Sequence, residues 1–133
     1  MIFIFGGAYQ GKLDFAKEKF NITDKEVITL KDDNYDFVSA FGSELQDAKI
    51  VDKIEEFCYA CAKEGVEARE YLEAHIDEVK DKIIISRDVS QGLVPMDPLD
   101  RAYREMMGRM MIYLSNQSDQ AYRVLAGLGQ QIK

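Results

Sequence analysis

The amino-acid sequence predicts an α/β fold in which helices flank a mostly parallel sheet. Three observations lead to this prediction. An apolar stretch, Met1–Phe5, opens the chain, glycines follow it at once, and a helical pattern begins at Lys12. A second buried strand, with three consecutive isoleucines, is predicted at Lys82–Ser86. Strands and helices alternate along the chain, an order that is typical of parallel sheets.

Length and charge limit the classes of protein that need consideration. The chain has 133 residues, which is the size of one domain, and we expect a single domain over residues 1–133. Lys and Arg number 17 and Asp and Glu 24, for a net charge of −7, and no basic run is present, which argues against nucleic-acid binding. No apolar stretch approaches the roughly 20 residues that span a membrane, and no signal peptide is evident, so we expect a cytoplasmic protein.

The first helix is predicted at Lys12–Phe20, and a short β-rich piece follows at Glu26–Leu30. From about residue 35 to residue 80 apolar residues recur at intervals of three and four, which predicts helices with a break at Gly65. The cysteines Cys58 and Cys61 have a spacing found in metal and redox sites. They lie on the apolar stripe, however, which favours buried core thiols.

The last third of the chain is predicted to be loop, helix and strand. The loop is expected at Arg87–Asp97, with Gly92 and Pro95 in it. Asp97 or Asp100 can cap a helix that runs from near Pro98 to about Ser118. Its methionines are interpreted as core or as a subunit interface. The final strand is predicted at Gln120–Ala126 and ends at two glycines. The methionines are Met106, Met107, Met110 and Met111, and the glycines are Gly127 and Gly129.

Residues 6–12 read Gly-Gly-Ala-Tyr-Gln-Gly-Lys, which is the spacing of a P-loop between a strand and a helix. Backbone amides of such a loop and the helix N-terminus hold phosphate oxygens, and the lysine adds a positive charge. The loop predicts a P-loop-type fold that binds a nucleotide; the alternative is a strand-to-helix turn that merely uses glycines. The predicted nucleotide-binding residues are Gly6, Gly7, Ala8, Tyr9, Gln10, Gly11, Lys12 and Leu13.

Two further groups are candidate site residues. Asp88 follows the buried strand directly, and ligands of parallel sheets bind at the carboxyl ends of strands. Its carboxylate could hold Mg²⁺ or orient an attacking hydroxyl, or it could simply cap a backbone amide. Arg104 and Arg109 could contact phosphate from the long helix, although ion pairs on a solvated face are the alternative. The predicted catalytic residues are Lys12 and Asp88.

Residues 83–95, Ile-Ile-Ile-Ser-Arg-Asp-Val-Ser-Gln-Gly-Leu-Val-Pro, are the second informative segment. Together with the Gly-Gly-Ala-x-x-Gly-Lys opening, the Gly108-Arg109 step and the glycine-rich tail that ends on Lys133, this segment resembles the adenosylcobinamide kinase / adenosylcobinamide-phosphate guanylyltransferase family. The resemblance covers residues 1–20 and 82–133. In the middle of the chain, we expect that one strand of the family, which ends on an acidic residue, is missing.

The resemblance implies a protein of cobalamin biosynthesis that transfers a phosphoryl group from ATP or GTP to a hydroxyl of cobinamide. It also implies Mg²⁺, a corrinoid substrate and a homo-oligomer. Leu13 stands where the family has a metal-binding hydroxyl, and Arg87 stands where it has Asn. The single histidine, His75, lies in an acidic helix without a nearby arginine, so the nucleophile of guanylyl transfer is not carried over to it. The alternative is a degenerate homologue that binds nucleotide or corrinoid in a regulatory or assembly role.

Overall fold

The computed structural model describes residues 1–89 and 97–133. Strands and helices alternate as the sequence predicts, with a short 3₁₀ turn at Asp24–Glu26. In chain order the elements are β1 (Ile2–Gly6), α1 (Lys12–Phe20), β2 (Val27–Thr29), α2 (Phe37–Phe41), α3 (Ser43–Asp47), β3 (Ile50–Asp52), α4 (Ile54–Glu64), α5 (Ala68–Ala74), α6 (Ile76–Val79), β4 (Ile83–Arg87), α7 (Pro98–Gln117), β5 (Gln120–Leu125) and β6 (Leu128–Gln131).

The strands form one sheet in the order β2-β3-β4-β1-β5-β6. Every neighbouring pair is parallel except β5 and β6, which are antiparallel. This confirms the predicted mostly parallel sheet. Because side chains alternate between the faces of a strand, Phe3 packs in a large cluster with Phe57 and Met107, whereas Ile4 packs with Ala16 on the opposite face. Helices α4 and α7 thus cover one face and α1 the other.

The helical prediction for residues 35–80 is wrong at residues 50–52, which form β3. Only Ile50 and Val51 are apolar there, too few to show either an alternating pattern or a long buried run. The strand forms because β2 and β4 pair with it on either side. It ends on Asp52, so the expectation that a strand with an acidic end is missing from the middle is also wrong.

The predicted last strand is confirmed as β5. The prediction that the strands end at the glycines is wrong, because the chain turns back there and forms another strand. Ala126 and Gly127 have φ values of 51° and 78°, and Leu125 pairs with Leu128 across the turn. Two successive residues with positive φ make the tight hairpin turn that matches the twist of the flanking strands. The second strand of this hairpin, β6, is absent from the sequence-based prediction.

The long helix α7 begins as predicted, because Asp97 caps it. The Asp97 Oδ1 atom accepts a hydrogen bond of 2.8 Å from the amide of Leu99. Met106, Met107 and Met110 are buried in the core, which confirms the core interpretation for these three, and Met111 is partly buried against the same cluster. Most of the predicted loop before α7, including Gly92 and Pro95, lies at residues 90–96, outside the described residues.

The two cysteines are core residues, as predicted. Both Cys58 and Cys61 lie on α4 with no exposed surface. Burial raises the pKa of Cys58 well above its usual range, and burial together with the charge of Glu67 raises the pKa of Cys61 to about 12. Both thiols therefore stay protonated at neutral pH, which does not suit metal or redox chemistry.

Candidate functional site

The glycine loop connects the central strand β1 to α1, where the sequence places it. Tyr9 and Gly11 both have positive φ values, 59° and 84°, so the loop turns sharply before the helix begins. Gly11 is the N-cap residue of α1 and has no side chain that could cap the first amides. Amides at the start of a helix then face the space above the loop, which is a favourable place for an anion.

Gly6 sets how closely the loop lies against the sheet. A Cβ atom at this position would collide with the backbone carbonyl oxygen of Val124 in the neighbouring strand β5. Only glycine therefore allows β1 and β5 to stay in register where the loop begins. The position of the loop at the carboxyl ends of the strands depends on this contact.

Lys12 lies at the mouth of the loop. Its Nζ atom donates a hydrogen bond of 2.7 Å to the carbonyl oxygen of Gly7. Burial lowers the pKa of Lys12, and the charges of Glu55 and Asp52 partly oppose that shift. The ammonium group is thus drawn out of bulk water and held beside the loop, within the cavity that the loop forms with its neighbours.

That cavity has a volume of about 520 Å³ and lies at the carboxyl ends of β1, β3 and β4. Among the described residues that line it, four side chains are carboxylates and three are cations, so acidic groups exceed basic ones by one. The carboxylates are Asp14, Asp52, Glu55 and Glu56, and the cations are Lys12, Lys53 and Arg87. The loop residues in the lining are Ala8, Tyr9, Gln10, Gly11, Lys12 and Leu13.

Asp52 ends β3 and is only 8% exposed. Its Oδ1 atom accepts a hydrogen bond of 2.9 Å from the amide of Lys53, whose φ value of 64° turns the chain into α4. Burial, followed by the charge of Glu55, raises the pKa of Asp52. A carboxylate held in this way readily accepts a proton or a cation.

Glu55 connects the first turn of α4 to the end of β4. It is 7% exposed, and its Oε1 atom accepts a hydrogen bond of 3.0 Å from the amide of Arg87. Arg87 in turn pairs in register with Gly6 of β1, which places it beside the loop. Burial and the charge of Glu55 also raise the pKa of Glu56. Strands β3 and β4 and helices α1 and α4 thus all contribute charged groups to one cavity.

Other predicted site residues lie outside the described lining of this cavity. Asp88 is next to the loop, since its amide donates a hydrogen bond of 2.9 Å to the carbonyl oxygen of Gly6. Arg104 and Arg109 lie on α7. The Arg109 guanidinium donates to both carboxylate oxygens of Glu67, at 3.3 and 3.0 Å, and this contact raises its pKa. Gly6 and Gly7 form the base of the loop.

His75 also lies away from the cavity. Its ring stacks on Tyr71, with centroids 4.3 Å apart, and its Nδ1 atom is 2.9 Å from the Tyr71 carbonyl oxygen. Tyr71 donates a hydrogen bond of 2.6 Å to Asp36. These contacts give the histidine a structural role between α5 and α6.

Sequence reasoning missed Asp52 and Glu55 as site residues, and it treated Arg87 only as a departure from a family pattern. The usable signal in the sequence is weak, because it consists of two apolar residues, Ile50 and Val51, followed at once by a carboxylate.

Among residues 1–89 and 97–133, no three or more His, Cys, Asp or Glu side chains are grouped so as to hold a metal ion by themselves. None of the helices in those two ranges is long and apolar enough to cross a membrane.

A family model described as cobinamide kinase / cobinamide phosphate guanyltransferase matches residues 37–132 of the chain. The chain belongs to this family. No curated protein matches it. The family match runs through the middle of the chain, including β3 and α4, so the expectation that the resemblance is confined to the two ends is wrong. The match also contains Asp52, Glu55 and Arg87, and it begins after the glycine loop.

Membership of the cobinamide kinase / cobinamide phosphate guanyltransferase family gives the chain a role of that type in cobalamin biosynthesis. The family uses nucleotide and corrinoid substrates. The sheet, with a glycine loop after its central strand, is consistent with the P-loop-type fold predicted from the sequence.

Proposed function

We propose that the chain binds the phosphates of ATP or GTP in the cavity beside the glycine loop and transfers a phosphoryl group to a hydroxyl of cobinamide. One observation carries the proposal: the loop with Lys12 shares a single cavity with Asp52 and Arg87, in a member of a cobinamide kinase family. Phosphoryl transfer depends mainly on positioning and on stabilising negative charge, and these residue types supply both.

The loop amides and Lys12 would hold the β- and γ-phosphates. The Lys12 ammonium donates to the carbonyl of Gly7, and a phosphate oxygen would replace that carbonyl as a stronger, charged acceptor. Arg87 would approach the same phosphates from the end of β4. The loop amides would donate neutral hydrogen bonds, and Lys12 and Arg87 would add positive charge. Together they would stabilise the negative charge that grows in the transition state.

Asp52 would receive the proton of the attacking hydroxyl. In this step the hydroxyl oxygen forms a bond to the γ-phosphorus, the bond from the γ-phosphorus to the bridging oxygen breaks, and the nucleoside diphosphate leaves. The raised pKa of Asp52 makes the carboxylate a better proton acceptor than an exposed aspartate. Asp88, beside Gly6, stays a predicted contributor from the end of β4.

The cavity suits Mg²⁺ through its oxygen donors, although it lacks one ligand. Leu13 contributes no hydroxyl, so phosphate oxygens and water, which Mg²⁺ accepts as ligands, would hold the ion together with Asp88 beside the loop. When bound, the ion supplies positive charge to the phosphates. Because carboxylates already exceed cations in the lining, a polyphosphate without a divalent ion would be repelled.

A second candidate function is a catalytically degenerate homologue that binds nucleotide or corrinoid in a regulatory or assembly role. Leu13 favours it, since a side chain without oxygen stands where the metal-binding hydroxyl is expected. Guanylyl transfer is not assigned to His75, because its contacts are with Tyr71 and it lies outside the described lining of the cavity.

The test is calorimetric titration with ATP and GTP, with and without Mg²⁺, followed by an assay of cobinamide phosphorylation. Lys12→Ala should weaken nucleotide binding at least about tenfold, because a charged hydrogen bond to phosphate is lost. The matched control is Lys17→Ala on the same helix, since Lys17 pairs with Asp24 at 2.7 Å and is not in the cavity lining. Equal affinities for the two variants would refute the proposal, whereas binding without turnover would select the degenerate homologue.

We also propose that the chain forms a homo-oligomer through the outer face of the β5–β6 hairpin. Leu125, Leu128 and Ile132 lie on one face of this hairpin and are 62%, 76% and 53% exposed. Large exposed apolar side chains grouped on a hairpin at the edge of a sheet are typical of contact surfaces between proteins. Covering them with a second copy would remove them from water.

A further inference from the structure

The glycine loop is attached to the C-terminal hairpin by its fifth residue. The Gln10 side-chain oxygen, Oε1, accepts a hydrogen bond of 2.6 Å from the amide of Ala126. The Gln10 carbonyl oxygen accepts a second bond, of 2.8 Å, from the amide of Gly127. A Cβ atom on Gly11 would lie 3.4 Å from the Gly127 Cα atom, so the backbones of loop and turn are in contact. Segments more than 110 residues apart in sequence meet here.

The loop needs such an attachment because its backbone is strained. Tyr9 has a φ value of 59°, which is costly for a bulky residue. Its side chain is fully exposed and therefore supplies no packing that could hold the conformation. A strained backbone persists only where its surroundings fix it. The two hydrogen bonds of the next residue, Gln10, are the contacts placed to do so.

We propose that Gln10 is a positioning residue, which fastens the glycine loop to the Ala126–Gly127 turn and thereby holds the loop amides in the arrangement that receives phosphate. Gln10 acts through the shape of the loop and not through charge, because its Oε1 atom is already bonded to the hairpin. The proposal rests on nucleotide binding at this loop, but the attachment itself can be tested without nucleotide.

The first measurement is amide hydrogen exchange by NMR in the ligand-free protein. Gln10→Met keeps the size of the side chain and removes the acceptor of the Ala126 amide. If the side chain holds the loop in place, the Gly127 amide, which donates to the Gln10 carbonyl oxygen, should also lose protection, and both amides should exchange about fivefold faster. Gln10→Glu keeps an acceptor and should restore slow exchange at both. The matched control is Gln130→Met, an exposed glutamine of β6 in the same hairpin, which should leave both amides unchanged. Exchange of the Gly127 amide in Gln10→Met equal to that of the wild type would overturn the proposal.

The second measurement is nucleotide affinity. Gln10→Met should weaken the binding of ATP or GTP about fivefold, with the melting temperature within about 2 °C of the wild type, and Gln130→Met should change neither. A structural role alone would lower the melting temperature and leave affinity intact, which would contradict positioning. If the wild type binds neither nucleotide, the proposed function fails, and the exchange measurement still decides whether Gln10 holds the loop.

Discussion

Lys12 and Asp52 line one cavity, and both have pKa values shifted towards neutrality. Burial lowers the pKa of Lys12 and raises that of Asp52. Each charge would be more stable in water than in the cavity, so the two charged groups lower the free energy of unfolding of the protein without ligand. Ligand phosphates and a cation would compensate for it, which is the usual relation between a functional site and stability.

Asp52→Asn should therefore stabilise the fold while it impairs the reaction. The folded pKa of Asp52 lies above its unfolded value, so its stabilising contribution is fully present below the unfolded pKa and is lost as the pH rises through the folded pKa. The gain in melting temperature should be largest at neutral pH and should vanish in acid. Turnover of cobinamide should fall roughly a hundredfold if the carboxylate accepts the proton.

Thermal unfolding from pH 4 to pH 8 measures the stability effect of Asp52→Asn, with Asp33→Asn as the control at an exposed loop position. The same pH series gives a second expectation for the wild type. Protonation of Asp52 removes a negative charge from the cavity, so nucleotide affinity should increase as the pH falls through the raised pKa of Asp52. A melting temperature that drops equally at all pH values would show that Asp52 is not an unfavourable buried charge.

Leu13→Ser tests whether the missing hydroxyl limits activity. The serine oxygen would add a ligand for Mg²⁺, and we expect Mg²⁺-dependent turnover to rise at least about tenfold. Leu13 packs against the cluster around Ala16, so both Leu13→Ser and Leu13→Ala should lose some stability. Leu13→Ala is thus the matched control, with a similar loss of packing and no oxygen. Equal turnover in the two variants would show that position 13 is not the limiting feature.

At the scale of elements, the contact between β1 and β5 decides where the glycine loop sits. Gly6→Ala would force a Cβ atom against the backbone carbonyl of Val124, which cannot move without breaking strand pairing. We expect a loss of about 1–3 kcal/mol in the free energy of unfolding, measured by urea denaturation. Gly108→Ala, in α7 with open space around it, should instead gain about 0.5–1 kcal/mol. If both substitutions lower the free energy of unfolding, the loss at position 6 comes from replacing glycine by alanine in general and not from the contact with Val124.

The elements differ in how well the sequence predicts them. Runs of isoleucine and phenylalanine identify β1 and β4, because a strand buried on both faces is apolar along its length. β3 has two such residues, and its pairing with β2 and β4 is information that no local pattern contains. β6 is exposed throughout and shows no apolar pattern, so the turn glycine Gly127 is the one indication of this strand in the sequence.

At the scale of the whole molecule, the sequence predicts only some of the residues that line the candidate cavity. The glycine loop is local in sequence and was found from its spacing alone. Asp52 and Arg87 reach the cavity through the strand order β3-β4-β1, which a sequence pattern does not give. The phosphate contacts of Arg104 and Arg109 stay predictions, and the pairing of Arg109 with Glu67 depends on how α7 packs, which a sequence pattern does not give either.

Self-association belongs to this scale as well. Leu128→Lys places a charge on the outer face of the hairpin and should weaken a homo-oligomer at least about tenfold, measured by analytical ultracentrifugation. Leu128→Met keeps the surface apolar and serves as the control. If Leu128→Lys and the wild type sediment alike as oligomers, the contact surface lies elsewhere on the molecule.

The attachment of Gln10 to the hairpin has a consequence for the order in which the protein is made. The loop that begins at residue 6 leaves the ribosome before the segments that hold it, because β1 pairs with strands at residues 83–87 and 120–124 and the loop is fastened by residues 126 and 127. Contacts so distant in sequence form late in folding. A nascent chain arrested before residue 126 should therefore bind nucleotide poorly even when most of the sheet has been synthesised.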